Sequence, residues 1–295
     1  MRSGFGSWLI RHRGARIGLI AGLLPLPPTS VFSAAIVVAV TIARGWREAL
    51  VDCVIALVVL SLVTTLAGGA WQQVLPSALP TWALAVWLGS LTGVFGSLAL
   101  TLQVLLVICL VGMTGFVIVV SDPIAFWERI LTDFAAQMSE MGVQFAEPDA
   151  LLALAPVMSG LVAASVVSSS MIALILGSWW SAAAGGPPFR EMFTSIRLGY
   201  VLGGVAVLAG IAATFLPAQL AGNALLVLGI GFMFQGLSVV HWLVQARGLP
   251  WVVLIGVYLP FFMGASIMLV VLFLLAAVGF VDNWYGLRRA VTKDR

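Results

Sequence analysis

The chain has 295 residues, of which 62% are hydrophobic and only 8% charged, with a net charge of +3. Soluble domains carry about 25% charged residues, and nucleic-acid binders show basic patches interleaved with exposed aromatics; this composition excludes both. Length alone allows one or two soluble domains, but no segment has soluble composition for long enough, so residues 1–295 read as one integral membrane domain.

Four stretches contain no Asp, Glu, Lys or Arg: residues 53–121, 150–189, 198–246 and 248–281. A charge at the centre of a bilayer costs ~2.5–3.5 kcal/mol on insertion scales, so membrane spans exclude charge. The pattern predicts an all-α polytopic bundle of six to eight spans. It also leaves no mid-membrane carboxylate or amine of the kind ion-driven pumps use.

Arg11, His12, Arg13 and Arg16 precede the apolar run 17–26. Residues 31–34 resemble a weak cleavage site, but Ala35 continues at once into apolar residues 36–40, so an uncleaved first membrane segment is expected. Region 15–43 is broken by Pro25, Pro27 and Pro28, and proline cannot sit inside a straight helix. It is either one broken span or a hairpin of two short helices. Cytoplasmic loops collect Lys and Arg. Arg2, Arg11, Arg13 and Arg16 before the region and Arg44 and Arg47 after it place both ends inside, which favours the hairpin.

Further spans are expected at 49–67, at 82–120 as a pair turning near 96–101, and at 151–177, 198–216 and 224–244, each near the ~20 apolar residues a span needs. The uncharged segment 68–81 reads as an outside loop. Region 251–281 has Pro260 and Gly264 in its middle. A single span there would put the basic tail (Arg288, Arg289, Lys293, Arg295) outside, whereas a kinked hairpin keeps it in the cytoplasm. Both termini are expected to be cytoplasmic in a bacterial inner membrane.

External segment 122–146 has structure of its own. Asp122-Pro123 is a helix start, and Ile124, Trp127, Leu131, Phe134, Met138, Met141 and Phe145 recur by threes and fours on one stripe. Gly142 should fray its end. The polar face is acidic (Glu128, Asp133, Glu140), unlike a lipid anchor. The helix either lies on the outer surface as a cap or acts as a lid or docking face.

The richest polar set lies after residue 222. Asn223, Gly231, Gln235, Ser238, His241 and Gln245 fall within a helical stripe about 120° wide. An unmet polar group in hydrocarbon costs several kcal/mol, so these side chains either bond between helices or line a small-molecule site. Asn223, Gln235, Ser238, His241 and Gln245 are the ligand-binding candidates. Gly160, Ala164 and Ser168 suit close helix packing, and Gln103 and Thr114 should bond to neighbouring helices. Cys53 and Cys109 read as unpaired apolar-span thiols. The sequence shows no metal-ligand cluster, no Gly-x-Ser-x-Gly elbow, no phosphate loop and no paired carboxylates for acid–base work. No catalytic residue, metal or cofactor is expected, and the chain reads as not an enzyme.

The C-terminal region 223–289 carries two more specific segments. Phe234-Gln235-Gly236-Leu237-Ser238-Val239-Val240-His241 resembles a Gln-Gly-Leu segment in a late span of the YybS-like family of bacterial membrane proteins. Residues 279–289, with Gly279, Asp282, Trp284 and Arg288, resemble that family's closing Gly-apolar-apolar-Asp-x-Trp-x-x-x-Arg signature. Arg44-Gly45 before a span is a weaker third match. The family's span layout is similar to that of the substrate-binding subunits of energy-coupling-factor vitamin transporters, which capture a small molecule and rely on a separate ATPase. The resemblance implies a small-molecule binding or transport-type protein without its own energy source, with the lipid bilayer and a cytoplasmic ATPase or other membrane protein as partners. Asp282, Trp284 and Arg288, at the membrane boundary, are either a capped, anchored helix end or a docking site for such a partner. The alternative is a scaffolding membrane protein that docks partners and binds no ligand.

Overall fold

A computed structural model describes residues 4–26, 28–143, 148–215 and 219–288. The described residues are helical, without strands: α1 (Phe5–Arg11), α2 (Arg13–Leu23), α3 (Ser30–Arg44), α4 (Trp46–Leu66), α5 (Leu75–Phe95), α6 (Leu98–Val119), α7 (Pro123–Glu140), α8 (Pro148–Leu152), α9 (Met158–Ala182), α10 (Phe189–Thr194), α11 (Gly199–Phe215), α12 (Gln219–Arg247), α13 (Val252–Tyr258) and α14 (Ala265–Tyr285). Six segments among them are long and apolar enough to cross a membrane: Trp46–Leu66, Trp71–Phe95, Leu98–Val119, Asp149–Ala182, Leu220–Arg247 and Ala265–Tyr285. Large apolar side chains stay exposed along them, such as Val54, Val58 and Leu62 on α4 and Leu269, Val270 and Phe273 on α14. Such faces need lipid or protein as solvent. The chain is built as a multi-pass integral membrane protein.

The chain forms two compact units, 1–102 with 168–197 and 103–167 with 198–295, so the division falls inside α6 and α9. In the first unit, α3 is the core. Every residue from Ser33 to Thr41 is buried, as expected of a helix apolar on all sides. The proline-broken region is a hairpin: Ser33 Oγ donates to the Ile20 carbonyl at 2.7 Å, tying α3 back onto α2. Trp82 Nε1 on α5 donates to the same hydroxyl at 3.0 Å. Pro27 lies outside the described residues.

α5 and α6 meet at Gly96, whose φ of 59° is left-handed, inside the stretch expected to turn. The outside loop expected at 68–81 is shorter than that. A 3-10 turn at Trp71–Val74 leads directly into α5. Pro76 occupies the first helical turn, where a missing N–H costs nothing, and Pro80 sits only about one turn further on.

In the second unit α12 is the most buried of the six apolar segments. The 251–281 region divides as its glycine suggested: α13 and a 3-10 turn at Leu259–Phe262 end at Gly264, with φ 119°, before α14 begins. α7 starts where Asp122 Oδ1 accepts from the Ala125 N–H at 3.0 Å and stops before Gly142, with φ 83°. Its stripe is put to use. Leu131 is buried, Trp127 Nε1 donates to Ser159 Oγ at 2.8 Å, and Phe126 and Trp127 pack on Phe116 of α6. Phe134 and Met141 remain exposed; Phe145 lies outside the described residues.

Candidate functional site

α11 begins with backbone groups that no preceding turn can satisfy, a cost every helix start must meet. Two amide side chains, of Gln235 and Asn283, meet it, and a third, of Gln103, bonds a carbonyl beside them. Gln235 Oε1 on α12 accepts from the Leu198 N–H at 2.9 Å. Asn283 on α14 pairs with Gly199 in both directions, Oδ1 accepting from its N–H at 2.8 Å and Nδ2 donating to its carbonyl at 2.9 Å. Gln103 Nε2 on α6 donates to the Leu198 carbonyl at 3.3 Å.

The same glutamine joins a charged cluster. Gln235 Nε2 donates to Asp282 Oδ2 at 2.9 Å. Arg288 Nη2 binds that oxygen at 2.8 Å, and Arg288 Nη1 reaches Ser238 Oγ at 3.5 Å. Gln235, Ser238 and Asn283 have no exposed surface, and Asp282 has 1%. Asp282 Oδ1 has no hydrogen-bond partner among the described residues.

Two glycines allow this convergence. A Cβ on Gly236 would collide with the Leu275 carbonyl, and one on Gly279 with the Phe232 carbonyl. Only hydrogen at both positions lets the α12 and α14 backbones touch, the close approach that small residues permit in membrane helices. Gly203 of α11 likewise leaves room for the Asn283 amide and the Trp284 ring.

The five ligand candidates do not form one wall. Asn223 sits about 18 Å along α12 from Gln235, at ~1.5 Å per residue. It is buried and committed elsewhere: Oδ1 accepts from the Gly160 N–H at 3.1 Å and Nδ2 donates to the Pro156 carbonyl at 3.1 Å. Gly160 lies so close that a Cβ would strike Asn223. His241 is half-buried, with Nδ1 2.9 Å from its own-helix Leu237 carbonyl and Nε2 3.3 Å from Tyr258 Oη on α13. Gln245 is exposed. Only Gln235 and Ser238 come together, and what joins them is Asp282 and Arg288, which were read as boundary residues. Trp284, the third of those, is exposed and packs on Tyr200 and Phe280. Thr114, expected to bond across helices, donates instead to the Leu110 carbonyl of its own helix at 2.8 Å.

A second buried charge cluster escaped the sequence reading. In the first unit, Arg16 Nε binds Asp52 Oδ2 at 2.6 Å, Nη1 donates to the Ile10 carbonyl at 2.8 Å, and Nη2 bonds to Glu48. Arg13 Nε binds Asp52 Oδ1 at 2.8 Å. The sequence pattern places these arginines among loop charges, yet Arg16 is only 2% exposed and Asp52 fully buried. The available signal was spacing. Arg13 and Arg16 are three apart, and Glu48 and Asp52 four apart, each pair on one helical face. The first charge-free run therefore starts after a buried carboxylate, Asp52, and the last stops before another, Asp282, whereas Asp122 and Asp149 beside the middle runs are exposed.

Comparison with protein-family models, curated proteins and solved structures gives no match to this chain.

Proposed function

We propose that this protein is a non-enzymatic small-molecule binding protein of transport type in a bacterial inner membrane. It has no energy source of its own, and both termini are cytoplasmic. The observation that carries this reading is the Asp282 cluster: a buried carboxylate with one oxygen unpartnered among the described residues, paired with a partly exposed arginine. A buried ion pair is seldom the most stable choice for its volume, and an unmet buried acceptor calls for an explanation beyond packing. A binding role supplies one. The resemblance to the YybS-like family, and through it to transporter subunits driven by a separate ATPase, supports the partner class.

Purification from native membranes tests this reading. An ATPase should co-purify, and small-molecule extracts should raise the thermal stability of the detergent-solubilised protein. Absence of both removes the transporter reading. The second reading, a scaffold without ligand, draws on Asn223 and on the α11 start, where amide side chains are spent on intrachain bonds. It expects co-purifying membrane proteins and no ligand response.

A further inference from the structure

The surroundings of Asp282 suit a cationic group. They offer two carboxylate oxygens and the Ser238 hydroxyl as acceptors, while the Gln235 amide N–H is already turned onto the carboxylate. Three oxygens are too few for Ca²⁺ or Mg²⁺, which gather six or more. They match the N–H fork of a guanidinium or the three donors of an ammonium. The present occupant is the chain's own Arg288. A well-aligned guanidinium engages both oxygens of a carboxylate, yet here Oδ2 receives both Gln235 and Arg288 while Oδ1 has no partner among the described residues. Arg288 also reaches the cluster from beyond the helix, because α14 ends at Gly286 with φ 61°. Its side chain is 15% exposed and Asp282's 1%, so of the pair the arginine is the group that solvent reaches.

We infer that Asp282, Gln235 and Ser238 form a recognition site for a guanidinium or primary ammonium group of a small molecule, with Arg288 as its resting plug. This rests on the small-molecule-binding reading and gives it a ligand class. The ligand displaces Arg288 and engages both oxygens of Asp282. A tethered competitor acts at an effective concentration on the order of millimolar, so the wild-type site binds weakly until Arg288 is moved.

The test is a methylguanidinium titration of the full-length protein in phosphatidylcholine–phosphatidylglycerol nanodiscs, read by thermal unfolding. Arg288→Ala should be stabilised saturably, with an apparent affinity at least about tenfold tighter than wild type. The Asp282→Asn/Arg288→Ala double variant should show no saturable response, nor should tetramethylammonium, which has no N–H, act on any form. Equal responses in the single and double variants, or none in either, overturn the inference. Should Arg288→Ala not fold, Arg288→Gln takes its place. In parallel, methylguanidinium should speed amide exchange of residues 282–288 in the wild type, and unchanged exchange counts against the plug. If an ATPase and a neutral or anionic ligand still bind while methylguanidinium does nothing, the ligand class fails and the broader reading stands.

Discussion

Arg16 and Asp52, 36 positions apart, meet guanidinium to carboxylate at 2.6 Å with both side chains shut away from solvent. The contact pins the start of α2 to the start of α4 and thereby fixes the α2–α3 hairpin. Removing Arg16 leaves the buried Asp52 with only the half-exposed Arg13 as counter-charge. Arg16→Met should therefore destabilise by about 3–5 kcal/mol, and Arg16→Met/Asp52→Leu should recover most of the loss. Arg13 holds the same carboxylate but is 51% exposed, so Arg13→Ala should cost no more than about 1 kcal/mol. A double-mutant cycle on unfolding in detergent decides the matter; a double variant as unstable as Arg16→Met would show that the loss does not come from an under-compensated buried charge.

The α12–α14 contact gives a sharper comparison. Gly236→Ala and Gly279→Ala each drive a methyl into a facing carbonyl. Overpacking costs about 1–3 kcal/mol where neighbours can shift, and here the neighbour is backbone, so the upper end is expected. Gly229→Ala, on the same helix with nothing near the added carbon, should be neutral or slightly stabilising through helix propensity. Thermal unfolding of the three variants side by side tests this; equal melting temperatures would refute the close approach.

The sequence made some of this legible because the relevant physics is local. Charge-free runs mark spans, Pro25 and Pro28 mark the hairpin turn, Gly96 and Gly264 mark breaks, and Asp122-Pro123 marks a helix start. Each signal acts within a few residues. The candidate site was only half legible. The polar stripe on α12 exists as a buried face for Asn223, Gln235 and Ser238, but periodicity shows which residues share a face and not what that face meets. Asn223 meets the backbone of Gly160 and Pro156, while Gln235 meets Leu198 and Asp282. The sequence leaves Asp52 unremarked and sets Asp282 at the membrane boundary for a related reason. A charge at the edge of an apolar run looks solvated unless its distant partner is known, and Arg16 and Asp52 are joined only by the fold.

The acidic helix α7 should behave as a fixed cap. Trp127 fills space against Phe116 and donates to Ser159. Trp127→Phe keeps most of the ring and loses the hydrogen bond, a change of about 0.5–1.5 kcal/mol, whereas Trp127→Ala also loses the packing and, because the ring is only part-buried, should cost about 1–3 kcal/mol. Hydrogen exchange over residues 123–140 reads both: slight acceleration for Phe and strong acceleration for Ala. Fast exchange in the wild type itself would favour a mobile lid instead.

Asn223 separates internal bracing from ligand recognition on one helix. Its two bonds join α12 to the chain just before and within the first turn of α9, about 18 Å from Gln235 at ~1.5 Å per residue. Asn223→Leu removes both bonds and leaves the Gly160 N–H and the Pro156 carbonyl to find other partners, at a cost of about 1–3 kcal/mol, with added strain because Gly160 is so close. That loss should leave cation binding at Asp282 unaltered, since sites this far apart and without shared partners contribute additively. Gln235→Leu should act at both levels. It strips the Leu198 N–H of its acceptor, lowering stability by a similar amount, and it removes a donor from Asp282. With that donor gone, the carboxylate is no longer held in place for an incoming cation, so methylguanidinium should bind the Gln235→Leu/Arg288→Ala form more weakly than Arg288→Ala alone. Melting temperature and methylguanidinium affinity measured on the same samples decide this. Altered affinity in Asn223→Leu/Arg288→Ala would mean that the stripe works as one unit, and the division drawn between its two ends would fall.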